Sequence, residues 1–363
     1  MADLQFSDAR ADDEEIGAID SLVGEPAVMR QGERLVRGGL SRRRASRHLL
    51  LPGLHLLQNS KGWISPGGLN YLAEVLQVPP AEAYGVASFY DLFETEEPSQ
   101  PGPRHRVCVD PSCAVAGSAE LILELREAGC QVHESPCLGQ CDRAPAMFIQ
   151  ELGKPDNVPA DADGLVHRQQ GSPALRLLKR FGVTDPSDLD SYRSHGGYNA
   201  LNLALDMGPE AVLDQLTASG LSGRGGAGFP TGRKWRSVAA ATSESKHIVA
   251  NADESEPGTF KDRLILENDP FAVIEAMTIA GVTTGSRHGW VYIRGEYPLA
   301  TERLTRAIES ARASGLLGTN IAGSNHSFDI EIRRGAGAYI CGEETALFNS
   351  IEGRRGEPRN KPP

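Results

Sequence analysis

The residue pattern predicts an α/β protein laid out in three successive parts: a helical lead-in, a small strand–helix–strand unit, and a larger α/β domain. Three observations carry this. From about residue 195 helix-like and strand-like segments alternate, the pattern of a mostly parallel sheet with helices packed on it. Between residues 101 and 152 two short apolar runs flank one amphipathic stretch. From 16 to about 93 the apolar spacing is helical. A chain of 363 residues is long enough for two or three domains, each burying its own core.

Residues 1–15 are acidic and short of large apolar side chains, and read as a disordered tail. In the lead-in, 16–100, Ser65 offers an N-cap and Pro66 a proline at the first helical position, where a missing N–H costs little. Leu69, Leu72, Ala73 and Leu76 then share one face, and Pro79-Pro80 closes that helix and opens the next. The basic run Arg42, Arg43, Arg44 and Arg47 reads as a docking patch or, as such runs usually are, a solvated helix face. In the unit 101–152, "HRVCVD" and "AMFIQE" are strands, and "SAELILELREAG" is a helix that Gly129 can end. Residues 153–194, rich in Pro, Asp and Gly, read as a linker. Beyond it, "PEAVLDQLTASG", "AVIEAMTIAGVTTG", "ATERLTRAIESARASG" and "EETALFNSIEG" are helices, and "KHIVANADE", "GWVYIRGEY" and "SFDIEIRRGAG" are strands.

A formal net charge of −11 repels phosphate backbones and argues against nucleic-acid binding. The acidic start is no secretory signal, and no uncharged apolar run reaches membrane-spanning length. Six cysteines without an export signal point to a reducing cytoplasm and metal-bound thiolates rather than disulfides.

Four of those cysteines form one block, Cys108-x4-Cys113 and Cys137-x3-Cys141, among residues that favour strand ends and tight turns. Four thiolates at one corner of a small domain are what a 2Fe–2S cluster requires. Structural zinc is the rival; its C-x2–4-C habit is met here only at its edge. Cys130 and Cys341 stand apart, Cys130 reading as a small buried apolar residue. A thioredoxin-type dithiol would need C-x-x-C, which does not occur.

The second motif is "SGLSGRGGAGFPTGRKW", in which Gly223, Gly225 and Gly228 satisfy G-x-G-x-x-G. A helix precedes it and Pro230 follows, so it departs from the usual strand–glycine loop–helix context. Glycine backbone that a ligand can approach closely, with Arg224, Arg233 and Lys234 interleaved, suits phosphate or a flat cofactor ring. "ANADESEPGTFKDR" then puts Asp253, Glu254 and Glu256 at the C-terminal edge of a sheet, where open α/β sheets bind ligands. Carboxylates there can accept hydrogen bonds from ribose or ribityl hydroxyls. Glu343 and Glu344 stand at a helix start, which stabilises anions.

The segments "GVASFYDLF", "VCVDPSC" and "CLGQCDRAPAM" resemble the thioredoxin-like 2Fe–2S subunit of respiratory complex I and of related NAD-linked hydrogenases and formate dehydrogenases. Residues 195–363 resemble the flavoprotein subunit of the same complexes. The resemblance implies a helical bundle plus thioredoxin-like 2Fe–2S domain, followed by a Rossmann-like FMN/NADH-binding α/β domain. It names Cys108, Cys113, Cys137 and Cys141 as cluster ligands and leaves Cys341 out. It places FMN against Gly223, Arg224, Gly225, Gly226, Lys234, Asn251, Asp253, Glu254, Ser255, Tyr339, Gly342 and Glu343. NADH contacts would come from Phe229, Glu256, Glu344 and Lys361. It also implies further sequence beyond "KPP", with a 4Fe–4S cluster there, so the chain reads as a C-terminally incomplete fusion.

On this resemblance the expected activity is that of an NADH dehydrogenase: hydride transfer from NADH to FMN, then single electrons to iron–sulfur clusters. These would feed the partner subunits of a quinone reductase, hydrogenase or formate dehydrogenase. No side chain acts as acid or base, because the hydride moves to the flavin. The expected location is cytoplasmic, on its own or on the cytoplasmic face of a membrane complex. The competing reading is a non-catalytic interaction or assembly protein with a structural metal and an empty flavin fold.

Overall fold

The computed structural model describes residues 8–23, 46–98, 102–152, 154, 156, 171–243 and 245–360. Arg42–Arg44, Lys361 and residues 153, 155 and 157–170 of the expected linker lie outside these residues.

Among the described residues, the lead-in holds the helices α1 (Asp13–Val23), α2 (Leu50–Lys61), α3 (Pro66–Leu76) and α4 (Pro80–Ala87). Helix α3 begins as expected, with the Ser65 hydroxyl accepting from the Gly68 amide at 2.9 Å and Pro66 in the first turn. The expectation of disorder up to residue 15 is corrected by α1. Asp12 and Glu15 form a reciprocal capping box, each side chain accepting from the other's amide at 3.0 Å. Glu15 is buried and also accepts from the Ser65 hydroxyl. The acidic residues are thus helix-start chemistry.

The second unit holds β1 (Arg104–Cys108), α5 (Pro111–Val115), α6 (Ser118–Glu127), β2 (Gln131–Ser135) and β3 (Met147–Gln150). Its sheet runs β2-β1-β3, with β1 parallel to β2 and antiparallel to β3. The sequence reading lacked β2, a half-buried edge strand with polar residues at most positions. Arg106 on the central strand is fully buried and ties the sheet to the lead-in, pairing with Asp91 at 2.8 Å and Glu94 at 2.9 Å.

The third unit opens inside the expected linker. Helix α7 (Leu189–Ser194) buries Tyr192, whose hydroxyl donates to the buried Glu275 carboxylate at 2.6 Å. Next come α8 (Asn199–Met207), α9 (Pro209–Ala218), α10 (Thr231–Ala240), β4 (His247–Ala252), α11 (Lys261–Asn268) and α12 (Pro270–Thr284). They are followed by β5 (His288–Ile293), α13 (Pro298–Ala313), β6 (Asp329–Arg334) and α14 (Glu344–Ile351). The expected parallel sheet is present in the order β4-β5-β6.

Two apolar cores organise the molecule. One lies on β5 and packs α12, α13 and Phe328. The other joins the lead-in and the cysteine corner to Tyr292, Ala336, Cys341 and Leu347 of the third unit. Polar contacts reinforce this second core: Leu92 donates its amide to the Ala336 carbonyl at 2.9 Å, and His55 Nε2 lies 3.1 Å from the Gly335 carbonyl. Burial holds the His55 imidazole down at about 3, with the Arg334 charge acting the same way, so the ring is neutral near pH 7.

Candidate functional site

The cysteine corner sits where β1 ends and α5 begins, facing the loop after β2. Cys108, Cys113 and Cys137 are buried and Cys141 is half-buried. Cys137 Sγ and Cys141 Sγ are 3.6 Å apart, and Cys108 is within hydrogen-bonding reach of both Cys137 and Cys113. Backbone amides point at the sulfurs, from Gly139 to Cys137 at 3.4 Å and from Ala146 to Cys113 at 3.4 Å. A third amide crosses from the other unit: Gly258 N–H donates to Cys141 Sγ at 3.2 Å. The hydrogen bond from Cys108 lowers the Cys137 thiol to about 6, aided by the Gly139 amide, Cys141 and the Arg294 charge against the opposing effect of burial. A converging, amide-bonded set of four thiols, one of them ready to ionise, fits a sulfur-ligated metal group. Asp110, which sequence reasoning passed over, accepts from the Cys137 amide at 2.9 Å and fixes the loop from behind. Cys130 is half-buried away from the corner, and Cys341 is buried against Tyr90 and Tyr292.

The second site is a cleft of about 720 Å³ at the C-terminal end of β4. One wall is Arg224, Gly225 and Gly226; another is Asn251 with Asp253, Glu254, Ser255 and Glu256; the third is Tyr339, Gly342 and Glu343. The three motifs therefore converge as expected. Gly223, Phe229, Lys234 and Glu344 stand outside the lining. Phe229 is nonetheless exposed beside it, with the Arg233 guanidinium 5.6 Å and the Lys234 ammonium 6.0 Å from its ring. The glycine loop is pinched shut by Gly223 N–H to the Phe229 carbonyl at 2.8 Å and by Thr231 N–H to the Leu221 carbonyl at 2.9 Å. Among the described residues, the amides of 224–228 have no hydrogen-bond partner and Arg224 has no ion pair. A smaller cleft of about 330 Å³ beside Trp63 and Arg104 holds none of the predicted residues.

Two family models match the chain, the thioredoxin-like [2Fe-2S] ferredoxin over residues 37–169 and the Nuo51 FMN-binding domain over 216–363. One stretch of the chain thus matches the first of these families and a later stretch the second. The NAD-reducing hydrogenase HoxS subunit alpha of Cupriavidus necator is 36% identical over 356 residues, covering 89% of this chain and 58% of that protein. An NADH-quinone oxidoreductase subunit of Aquifex aeolicus is 52% identical over 187 residues, 52% of this chain and 44% of that one. The NADP-reducing hydrogenase subunit HndC of Solidesulfovibrio fructosivorans is 54% identical over 190 residues, 52% and 39% of the two chains. A solved NAD+-reducing [NiFe]-hydrogenase superposes with a TM-score of 0.68 at 28% identity, over 88% of this chain and 57% of that one. The chain spans about half the length of the relatives it matches. The rival of a structural metal beside an empty flavin fold finds no support among them.

Within the Nuo51-type cleft, two predicted carboxylates already have employment. Glu254 accepts from the Asp262 amide at 3.0 Å and the Arg263 amide at 3.2 Å, capping α11, whose own N-cap position is Phe260. Glu343 caps α14 through the Thr345 and Ala346 amides at 2.8 and 3.0 Å. Both line the cleft, but each also holds a helix start in place. Asn251 is braced by its Nδ2 donating to the Gly342 carbonyl at 2.8 Å. Burial pushes the Asp253 carboxyl up to about 7; Glu296 and Glu256 add to this, while the Arg294 charge and the Ser255 hydroxyl oppose it.

Sequence reasoning missed Thr259, Lys261, Asp262 and Ile340, which complete the lining. It also missed the layer between the two sites. Arg294, just past β5, donates to the Glu254 carbonyl at 2.6 Å and to the Cys137 carbonyl. Arg263 donates to the Gly139 carbonyl at 3.2 Å and pairs with Asp142. Nothing local in the chain announces these residues, because their partners in the cysteine loop lie more than a hundred positions away.

Proposed function

We propose that this chain is the electron-input part of an NAD-linked redox complex, an NADH dehydrogenase flavoprotein component that holds FMN in the cleft and a [2Fe–2S] cluster on Cys108, Cys113, Cys137 and Cys141. When bound, FMN supplies a hydride acceptor for NADH and the cluster a one-electron acceptor. The protein's part is to bind, align and exclude water. The amides of 224–228 and the Arg224 guanidinium, without partners among the described residues, suit a phosphate. Tyr339, whose hydroxyl is 3.4 Å from the Glu256 carboxylate, and Phe229 offer apolar faces to flat rings. Glu256, Glu344 and Lys361 remain the proposed contacts for the dinucleotide. Partners would be other subunits of such a complex, including one that takes the electrons onward.

The observation that carries this reading is the shared wall. The segment from Glu254 to Gly258 lines the cleft at one end and donates to Cys141 Sγ at the other. With FMN in the cleft and a cluster on the cysteines, that segment would stand between the two groups. The test is anaerobic titration with NADH of the full chain loaded with FMN, iron and sulfide. The flavin band should bleach and the cluster signal should follow; a flavin-loaded sample that NADH leaves unbleached would refute the proposal.

A further inference from the structure

The loop that carries Cys137 and Cys141 is gripped by the third unit more than by its own. Arg294 donates to the Cys137 carbonyl, Arg263 donates to the Gly139 carbonyl at 3.2 Å, and the Tyr297 hydroxyl lies 3.4 Å from that same carbonyl. All three side chains are buried, Arg294 at 4% exposure and Arg263 at 1%. Arg294 does double duty, since its other terminal nitrogen donates to the carbonyl of Glu254 in the cleft wall at 2.6 Å. A single guanidinium thus joins the cysteine loop to the cleft. Its counter-charge is Glu296 at 2.6 Å, whose second oxygen is buried and has no hydrogen-bond partner among the described residues.

We infer that Arg294 is a positioning residue whose charge, balanced by Glu296, sets the reduction potential of the cluster held by the four cysteines. The inference rests on the cluster assignment above. Adding one electron makes a thiolate-bound cluster more negative. A fixed positive charge against a ligand residue, shielded from water, favours the reduced form and raises the potential. Glu296 works against it. The two residues should therefore move the potential in opposite directions, an outcome that a purely structural role for the pair would not produce.

The experiment is an anaerobic redox titration of the cluster, followed by electron paramagnetic resonance, in the full chain loaded with iron, sulfide and FMN. R294Q keeps an amide donor but loses the charge, and should disfavour the reduced cluster about tenfold at a fixed potential, or about 59 mV downward for a one-electron couple. R294K, which keeps the charge, should stay within about threefold of the parent by the same conversion. E296Q should move the potential upward. Loaded R294Q and E296Q proteins that both titrate with the parent, or that shift the same way, overturn the inference. If R294Q fails to retain the cluster, the direction of the E296Q shift still decides. Parent protein that takes up no iron and sulfide would instead sink the cluster assignment itself.

Discussion

The cysteine corner and the glycine loop are both ligand sites, yet they are built in opposite ways. At the corner three thiols are buried, amides already point at sulfur, and side chains from a second unit close over the loop. The glycine loop is exposed along nearly its whole length and, among the described residues, is pinned at its neck with no partner for the amides of 224–228. The difference follows from what each must hold. Four thiolates converging on one point demand a fixed geometry, and desolvation is tolerable because the metal neutralises them. A phosphate-bearing ring system needs close backbone approach and an open entrance, which glycine supplies at the expense of rigidity.

The sharpest way to break the comparison is to remove a ligand. Cys137→Ser should abolish cluster assembly, taking iron and sulfide from about two of each per chain to background, while FMN affinity stays within about threefold. Metal analysis and flavin fluorescence read the two sites separately. A parallel loss of flavin would mean that the cleft depends on the corner for its shape.

Next in size is Gly139→Ala. Gly139 has φ +68°, and a Cβ there would run into the Tyr297 ring, which is 1% exposed and cannot swing away. Overpacking plus left-handed strain should destabilise the protein by about 2–4 kcal/mol. Denaturant unfolding would measure it. A cost under about 1 kcal/mol would show the interface between units to be looser than the structure has it.

The two halves are unequally legible in the sequence. The cysteine spacing and the glycine-rich stretch are visible because each is local: ligand thiols come in close pairs, and a backbone-approach loop must concentrate glycine. The strands β4, β5 and β6 are legible from their apolar runs, and Ser65-Pro66 from capping chemistry. Helices α10 and α11 are not; "TGRKWRSVAA" and "KDRLILEN" are short and charge-rich, and α11 takes its cap from Glu254, outside the helix. The Asp12–Glu15 box reads as disorder in the sequence because charge alone cannot tell a cap from a tail. Arg263, Arg294 and Tyr297 leave no signal, since their meaning lies in partners 121 to 158 positions distant.

Asp253 sharpens the comparison from the cleft side, because with Glu254 and Ser255 it forms a buried stretch of the cleft wall facing the exposed glycine loop. Its carboxyl is raised to about 7 from an ordinary value of 3.8, chiefly by burial. A raised carboxylate pKa means that the folded state binds more protons than the unfolded one across that window. Stability from this group therefore falls as pH rises from about 4 to about 7, and stays low above. At ~1.4 kcal/mol per pKa unit, the full effect is on the order of 4 kcal/mol. Asp253→Asn should cancel the fall, so the cofactor-free variant should gain thermal stability relative to the parent at pH 8 and little or none at pH 4. An equal difference at both pH values would place the penalty elsewhere.

The smallest effect is expected at Gly226, and it isolates what the glycine loop contributes. Gly226 has φ +101°, like Gly139 a backbone state that side chains avoid, but a Cβ there would meet nothing within 4 Å. Gly226→Ala therefore carries the conformational cost without the collision, about 1–2 kcal/mol. Because the loop is exposed and tied only at Gly223 and Thr231, it can relax while the rest of the fold stays intact. The melting temperature of the cofactor-free protein should then barely move. FMN, which would require the original loop path, should bind about tenfold more weakly, as 1.4 kcal/mol predicts. A drop in melting temperature as large as that of Gly139→Ala would mean that the loop is as firmly built in as the cysteine corner, and the contrast between the two sites would fail.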